Sequence, residues 1–420
     1  MRKNHYILTN AHIVNVENGE ITKGTIEIQY GYIKRIALNE EIQSEAEVID
    51  VQGKYIIPGL IDMHCHINEQ FAKQFVAAGV TTVRNPGGQG MKNLENLLNA
   101  PIDAPTPRVY AADRLIDGPP GLWGPTNEGN YVTDNPEEAR EEVRRQYEAG
   151  TKFIKVYGLI SKEVLEAVCD EAAKLDLEVS VDLIHAQQVN ALDAARLGVT
   201  WFEHASGFIQ ALYPGWYPTA DKEEWKHIDF ERPDIEHITT LCEKMLKYNV
   251  KLCPTLLIND QIHQFPNYWN PNNIVTNSLD SNEGIMAHWQ QMEQYEQQLK
   301  DQLGFQLTML KAITKVYFDL GGTVVAGTDT PAGVYSFPGM GLHRELEIFV
   351  EMGMTELEAL QAATINAAKA ISLEEIGVIK EEKIADLVIL KENPLVDIKN
   401  TKEIFSIVKG GKMYSQEEIL

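Results

Sequence analysis

Between residues 60 and 328 the sequence returns eight times to one phrase, a short apolar run followed in most cases by an amphipathic stretch. This alternation constrains the fold more than any other feature. The runs fall at 60–66, 80–84, 108–112, 152–157, 179–184, 199–204, 250–255 and 323–328. Between most of them lie helix-forming segments such as PEEAREEVRRQYEAG, SKEVLEAVCDEAAKLD and AQQVNALDAARLG. Asn135 before Pro136 makes a helix start and Gly150 a stop, because asparagine caps an early N–H, proline suits the first turn and glycine tolerates a left-handed ending. Strands separated by helices must run parallel, and eight such units predict an α/β fold, a closed (β/α)8 TIM barrel over residues 58–372. Chemistry in such a barrel gathers at the C-terminal ends of the strands.

The two ends of the chain read differently. YILTNAHIVNV and GTIEIQYGYIKRIAL near the start, punctuated by Asn18-Gly19 and Gly31, have the composition of short strands. IGVIKEEKIADLVIL and EIFSIVKGGKMY return to that style near the end. A small β-sandwich domain composed of residues 1–57 and 373–420 is therefore expected. With 61 Asp and Glu against 37 Lys and Arg, the net charge is −24. Such a surface repels phosphate backbones and anionic lipid, so neither nucleic acid nor membrane is an expected partner. The four cysteines form no CxxC pair, and no run is apolar and long enough for a membrane span. A cytoplasmic protein with a small-molecule partner is the expectation.

The polar residues at the strand ends carry the functional signal. The first run closes in PGLIDMHCH, where His64 and His66, two apart, share one face of a strand. Lys155 interrupts the apolar fourth run, FIKVY. His185 follows the fifth run, His204 closes the sixth in FEHAS, and Asp329 follows the eighth in AGTDTP. Singly, each has an ordinary explanation: a core histidine bonded to a carbonyl, or an aspartate capping a helix. Together they converge on one rim. An ammonium among four histidines would be costly to bury and would repel a cation. Carboxylation of Lys155 by CO2 removes both difficulties, since a carbamate is anionic and can bridge two ions. His64, His66 and Asp329 would then hold one divalent metal ion, and His185 with His204 the second. Zinc suits such ligands, with manganese, cobalt or nickel as alternatives.

PGLIDMHCH, GVTTVRNPGG, FIKVY, LIHAQQVNALDAARLGVTWFEHASG, AGTDTP and IKEEKIADLVIL, in this order, resemble the amidohydrolase superfamily, in particular its imidazolonepropionase-like and prolidase-like members. The likeness runs from about Asn10 to Gly411. It implies a barrel flanked by a β-sandwich and a metal centre with ligands on strands one, four, five, six and eight. The paired histidines fall on His64 and His66, the carboxylated lysine on Lys155, the later histidines on His185 and His204, and the aspartate on Asp329. Two departures stand out. Asn85 occupies a position where relatives often carry an acid. Strand five reads VDLIHAQ where many relatives read VAVHAHG; His185 is chosen by its nineteen-residue distance to His204, with Asp182 the nearby rival.

The resemblance implies a metal-dependent amidohydrolase in which a metal-bridging hydroxide attacks an amide carbon and Asp329 carries the proton to the leaving nitrogen. A dipeptide-like or N-acyl amino acid substrate is expected. Arg114, Trp123, Tyr157, His263 and His343 are the candidate substrate contacts. Competing readings are a mononuclear deaminase or cyclic-amide hydrolase of the imidazolonepropionase type, a lactone or organophosphate hydrolase, and a catalytically silent assembly protein. The family often forms symmetric assemblies, which leaves a homo-oligomer as an option.

Overall fold

The computed structural model describes residues 5–38, 42 and 45–420. Eight short parallel strands lie where the alternation places them: Leu60–Asp62, Val80–Asn85, Arg108–Ala111, Ile154–Tyr157, Val179–Asp182, Trp201–Glu203, Lys251–Cys253 and Thr323–Val324. They belong to two parallel sheets whose edges meet. Lys152 N–H donates to Ala111 O (2.9 Å) at one seam, and Met63 N–H to Ala326 O (2.9 Å) with Thr328 N–H to His64 O (3.0 Å) at the other. The ring is therefore closed. The helix Pro136–Glu148 starts as expected, with Asn135 accepting from Glu137 N–H, and Gly150 follows in the left-handed region at φ +88°.

Alternation along the strands decides what enters the barrel. On the fourth and fifth strands Ile154, Val156, Val179 and Val181 join the apolar layer under the helices, while Lys155, Tyr157, Ser180 and Asp182 take the opposite face. Burying each such aliphatic side chain contributes roughly 1.5–3 kcal/mol, so register is strongly held. That register pairs Lys155 with Ser180 and Tyr157 with Asp182. The lower interior is plugged by Ile61, Met63, Trp201, Cys253 and Val325. Polar residues thus collect at the upper end.

Two features were not legible as strand–helix units. Leu115–Asp117 and Asn130–Val132 add a parallel pair beside the fourth strand and raise that side of the rim. The connection after the seventh strand holds several short helices, of which Glu283–Glu293 leans over the mouth through Trp289 Nε1–H donating to Pro331 O (2.9 Å). The aromatics after the sixth strand pack among themselves and on neighbouring helices, as in Trp216 against Phe230 and Phe305.

Both termini contribute to one eight-stranded sheet, in which Leu387–Leu390 pairs with Tyr55–Pro58. It has its own core of Tyr6, Leu8, Ile26, Ile28, Ile56, Leu387 and Ile389. Of the expected 1–57 segment, residues 1–4, 39–41, 43 and 44 lie outside the described residues. No described helix is long and apolar enough to cross a membrane. All four cysteines are free and buried.

Candidate metal centre

The strand ends open into a pocket of about 480 Å³ lined by His64, His66, Lys155, Asp182, His204 and Asp329 at its base. Three imidazoles meet two carboxylates there. His64 Nε2 and His66 Nε2 stand 3.2 and 3.0 Å from Asp329 Oδ1. His204 Nε2 lies 3.2 Å from Asp182 Oδ2 and 3.9 Å from Asp329 Oδ2. His204 and Asp329 both hold left-handed φ values, +60° and +59°, which L-residues other than glycine adopt at a cost and which recur at functional sites.

The far nitrogen of each ring fixes its tautomer. His64 Nδ1 is 2.7 Å from Glu203 Oε2, and His66 Nδ1 is 3.2 Å from the Gly87 carbonyl, two partners that can only accept. His204 Nδ1 meets Thr255 Oγ1 at 2.5 Å, and that hydroxyl donates to Pro254 O (2.9 Å). Each Nδ1 therefore carries a hydrogen, and each ring turns its Nε2 toward carboxylate oxygens. Nitrogen and carboxylate oxygen atoms converging in this way are the ligand types a divalent cation takes. Lys155, 2% exposed, supplies the second observation: its Nζ has no hydrogen-bond partner. Burial lowers its pKa, partly opposed by Glu203 and Asp182. The set of imidazole and carboxylate donors fits a divalent ion, with the Lys155 amine beside it.

Behind the ligands lies a buried charge network. Burial alone would raise the Glu203 pKa, but Arg84, His64 and Lys155 hold it well below the usual carboxylate range. Its oxygens accept from Arg84 Nη1 (2.7 Å) and Ser180 Oγ (2.5 Å) besides His64. Arg84 is itself clasped between Phe153 and Trp201, at 4.0 and 4.2 Å. Tyr157 hydrogen-bonds Asp182 and Trp123, and burial, with Asp182 beside it, keeps its phenol protonated far above neutrality.

The residues singled out from sequence divide clearly. His64, His66, Lys155, His204 and Asp329 come together, and Trp123 and Tyr157 line the pocket. His185 does not line it. It sits three residues beyond the strand, in a turn closed by Ala186 N–H to Leu183 O (3.0 Å), and Asp182 occupies the strand end instead. Strand register thus brings Asp182, the nearby rival, to the pocket in place of His185. Arg114 is drawn away by Glu142, through bonds of 2.7 and 2.6 Å. His263 is exposed on the outer side of helix Leu256–Gln264. His343 is buried between Thr401 Oγ1 and Ala78 O, both at 2.9 Å, as a packing histidine. Sequence reasoning passed over Glu203, Arg84, Gln89, Asn130 and His288. The acid directly before His204 was the available signal for the first, since it continues an inward-facing strand.

A family model for the amidohydrolase family matches residues 55–414. The chain belongs to the amidohydrolase family. An adenine deaminase of Kosmotoga olearia is 43% identical over 83 residues, a match covering 18% of this amidohydrolase and 14% of the deaminase. A solved Xaa-Pro dipeptidase with methionine bound in its active site superposes with a TM-score of 0.70 at 22% identity, covering 98% of this chain and 99% of the other. The bottromycin amidohydrolase gives 0.72 at 17% identity, covering 100% and 88%. These two likenesses establish the shared fold.

Proposed function

We propose that this amidohydrolase is a metal-dependent hydrolase that cleaves a carbon–nitrogen bond in a small substrate with a dipeptide-like or N-acyl amino acid skeleton. One observation carries the reading: three histidine Nε2 atoms with fixed tautomers face two carboxylates across a buried cluster. His64, His66 and Asp329 would hold one ion and His204 with Asp182 a second, with a carboxylated Lys155 as a further ligand. Zinc is the expected metal. A bound divalent ion would supply an acidified water and polarise the scissile carbonyl.

The protein's own groups do the rest. Asp329, between the histidines, takes the proton of the attacking water and passes it to the leaving nitrogen. Tyr157 donates to Asp182 and is steadied by Trp123. Glu203 holds His64 in the required tautomer and orientation. We read residues 1–57 with 373–420 as a sandwich-like domain with its own core, apart from the barrel at 58–372.

Screening dipeptides, N-acyl amino acids and their amides, lactones and aminopurines against the zinc- and manganese-loaded enzyme tests the proposal. Release of a primary amine from an amide is expected. A metal-replete protein that turns over none of the amides would sink it. A second reading, hydrolytic deamination, is favoured by the local similarity to adenine deaminases. Ammonia released from an aminopurine, with no amide cleaved, would select it.

A further inference from the structure

One part of the pocket lining bears on which end of a substrate it accepts. That wall is formed by Gln89, Leu115, Trp123 and Asn130, on the rim raised by the extra strand pair. Asn130 is 1% exposed, and its Nδ2 donates to Gly124 O at 2.8 Å. A carbonyl can only accept, so this bond fixes the amide orientation and leaves Oδ1 as its free atom. Asn130 Oδ1 has no donor, and neither does the buried Gln89 Oε1. Asn127 beside them accepts from Gly129 and Asn130 N–H (2.8 and 3.0 Å) and donates to Pro125 O (3.1 Å). The wall therefore holds one acceptor of fixed orientation, Asn130 Oδ1, a second amide at Gln89 whose oxygen lacks a donor, and an indole.

It offers no cation. Among the described residues lining the pocket, Lys155 is the one lysine or arginine, and it lies with the metal-binding cluster. The guanidinium of Arg114 is held by Glu142. The same pocket holds Asp182 and Asp329, on a chain of net charge −24. A free carboxylate placed on this wall would face acceptor oxygens and lose its water without compensation.

We infer that the substrate presents to this wall an uncharged N–H donor, a carboxamide or lactam, seated against Trp123 and bonded to Asn130 Oδ1 and Gln89 Oε1. This rests on the carbon–nitrogen hydrolase reading and deepens it: the amino acid portion of the substrate is blocked as an amide rather than ending in a free acid.

The test uses three N-acyl derivatives of one aromatic amino acid that differ only in that end group: acid, methyl ester and primary amide. Both kcat/KM for release of the acyl group and calorimetric binding to the metal-loaded enzyme are measured. The amide should exceed the ester, which lacks the donor, by about tenfold, and exceed the charged acid by more. Gln89→Leu should narrow the gap between amide and ester. Gln89→Arg should raise the acid relative to the amide. Equal or better performance by the acid, or amide and ester within twofold of each other, overturns the inference. If no member is cleaved although metal is bound, the hydrolase reading fails, and the binding order alone decides this one. Should Gln89→Arg fail to fold, the three-ligand comparison on the natural chain still decides between the outcomes.

Discussion

Glu203→Gln removes one charge from the layer beneath the proposed centre and changes almost no volume. The carboxylate accepts from His64 Nδ1, Arg84 Nη1 and Ser180 Oγ, and it is fully buried. A glutamine keeps one acceptor oxygen and presents an NH2 to either the imidazole or the guanidinium, donor against donor. Arg84 would then be a buried cation whose remaining partners are Met63 O at 3.2 Å and two ring faces, while its Nε and Nη2 already lack hydrogen bonds. Leaving one member of a buried ion pair uncompensated costs about 3–5 kcal/mol. Loss of the group that orients a ligating histidine weakens metal affinity by about 10–100-fold. The two effects separate experimentally. Urea unfolding of the metal-stripped protein reads the first, and competition with a chromophoric chelator reads the second. A stability loss below about 1 kcal/mol, together with unchanged metal affinity, would refute both the charge network and the role given to Glu203.

Strand five offers a sharper contrast. Asp182→Ala is expected to lower bound metal from about two equivalents toward one, whereas His185→Ala leaves it unchanged; the reverse pattern, by elemental analysis, would restore the spacing-based assignment. His343 predicts an acid limb of stability. Burial, with the Lys402 charge adding to it against the Ala78 carbonyl, pushes its pKa from 6.5 to about 4. Between those values the unfolded chain binds a proton that the folded one does not, so stability falls as pH drops, by about 3 kcal/mol in all. His343→Gln should flatten that limb in denaturation midpoints measured from pH 7 to pH 4, and an unaltered slope would count against it.

Much of the fold and of the site is legible in the sequence because local and global signals agree. Asn135-Pro136 and Gly150 bound their helix, and the eight apolar runs became the eight strands of the ring. His64, His66, Lys155, His204 and Asp329 were readable as polar residues at apolar strand ends, where barrel chemistry gathers. The candidates that lie outside the pocket were chosen by residue type instead of by strand parity. His185 looked like a ligand because it is a histidine, yet Tyr157 pairs in register with Asp182, and the chain has already turned by residue 185. Arg114 and His343 have the chemistry of substrate contacts, but their partners, Glu142 and the Ala78 carbonyl, come from distant segments and hold them elsewhere. Gln89, Asn130 and His288 reach the pocket from loops and a helix whose paths no periodicity encodes.

The central claim is that the converging Nε2 atoms, the carboxylates and the orphaned Lys155 amine form a metal centre. Elemental analysis of the protein purified from metal-replete medium, beside Lys155→Ala prepared identically, tests it most directly. About two divalent ions per chain are predicted for the natural protein, with one or fewer in the variant. A natural protein that retains no divalent ion, or a variant that binds as much as the parent, would contradict the account.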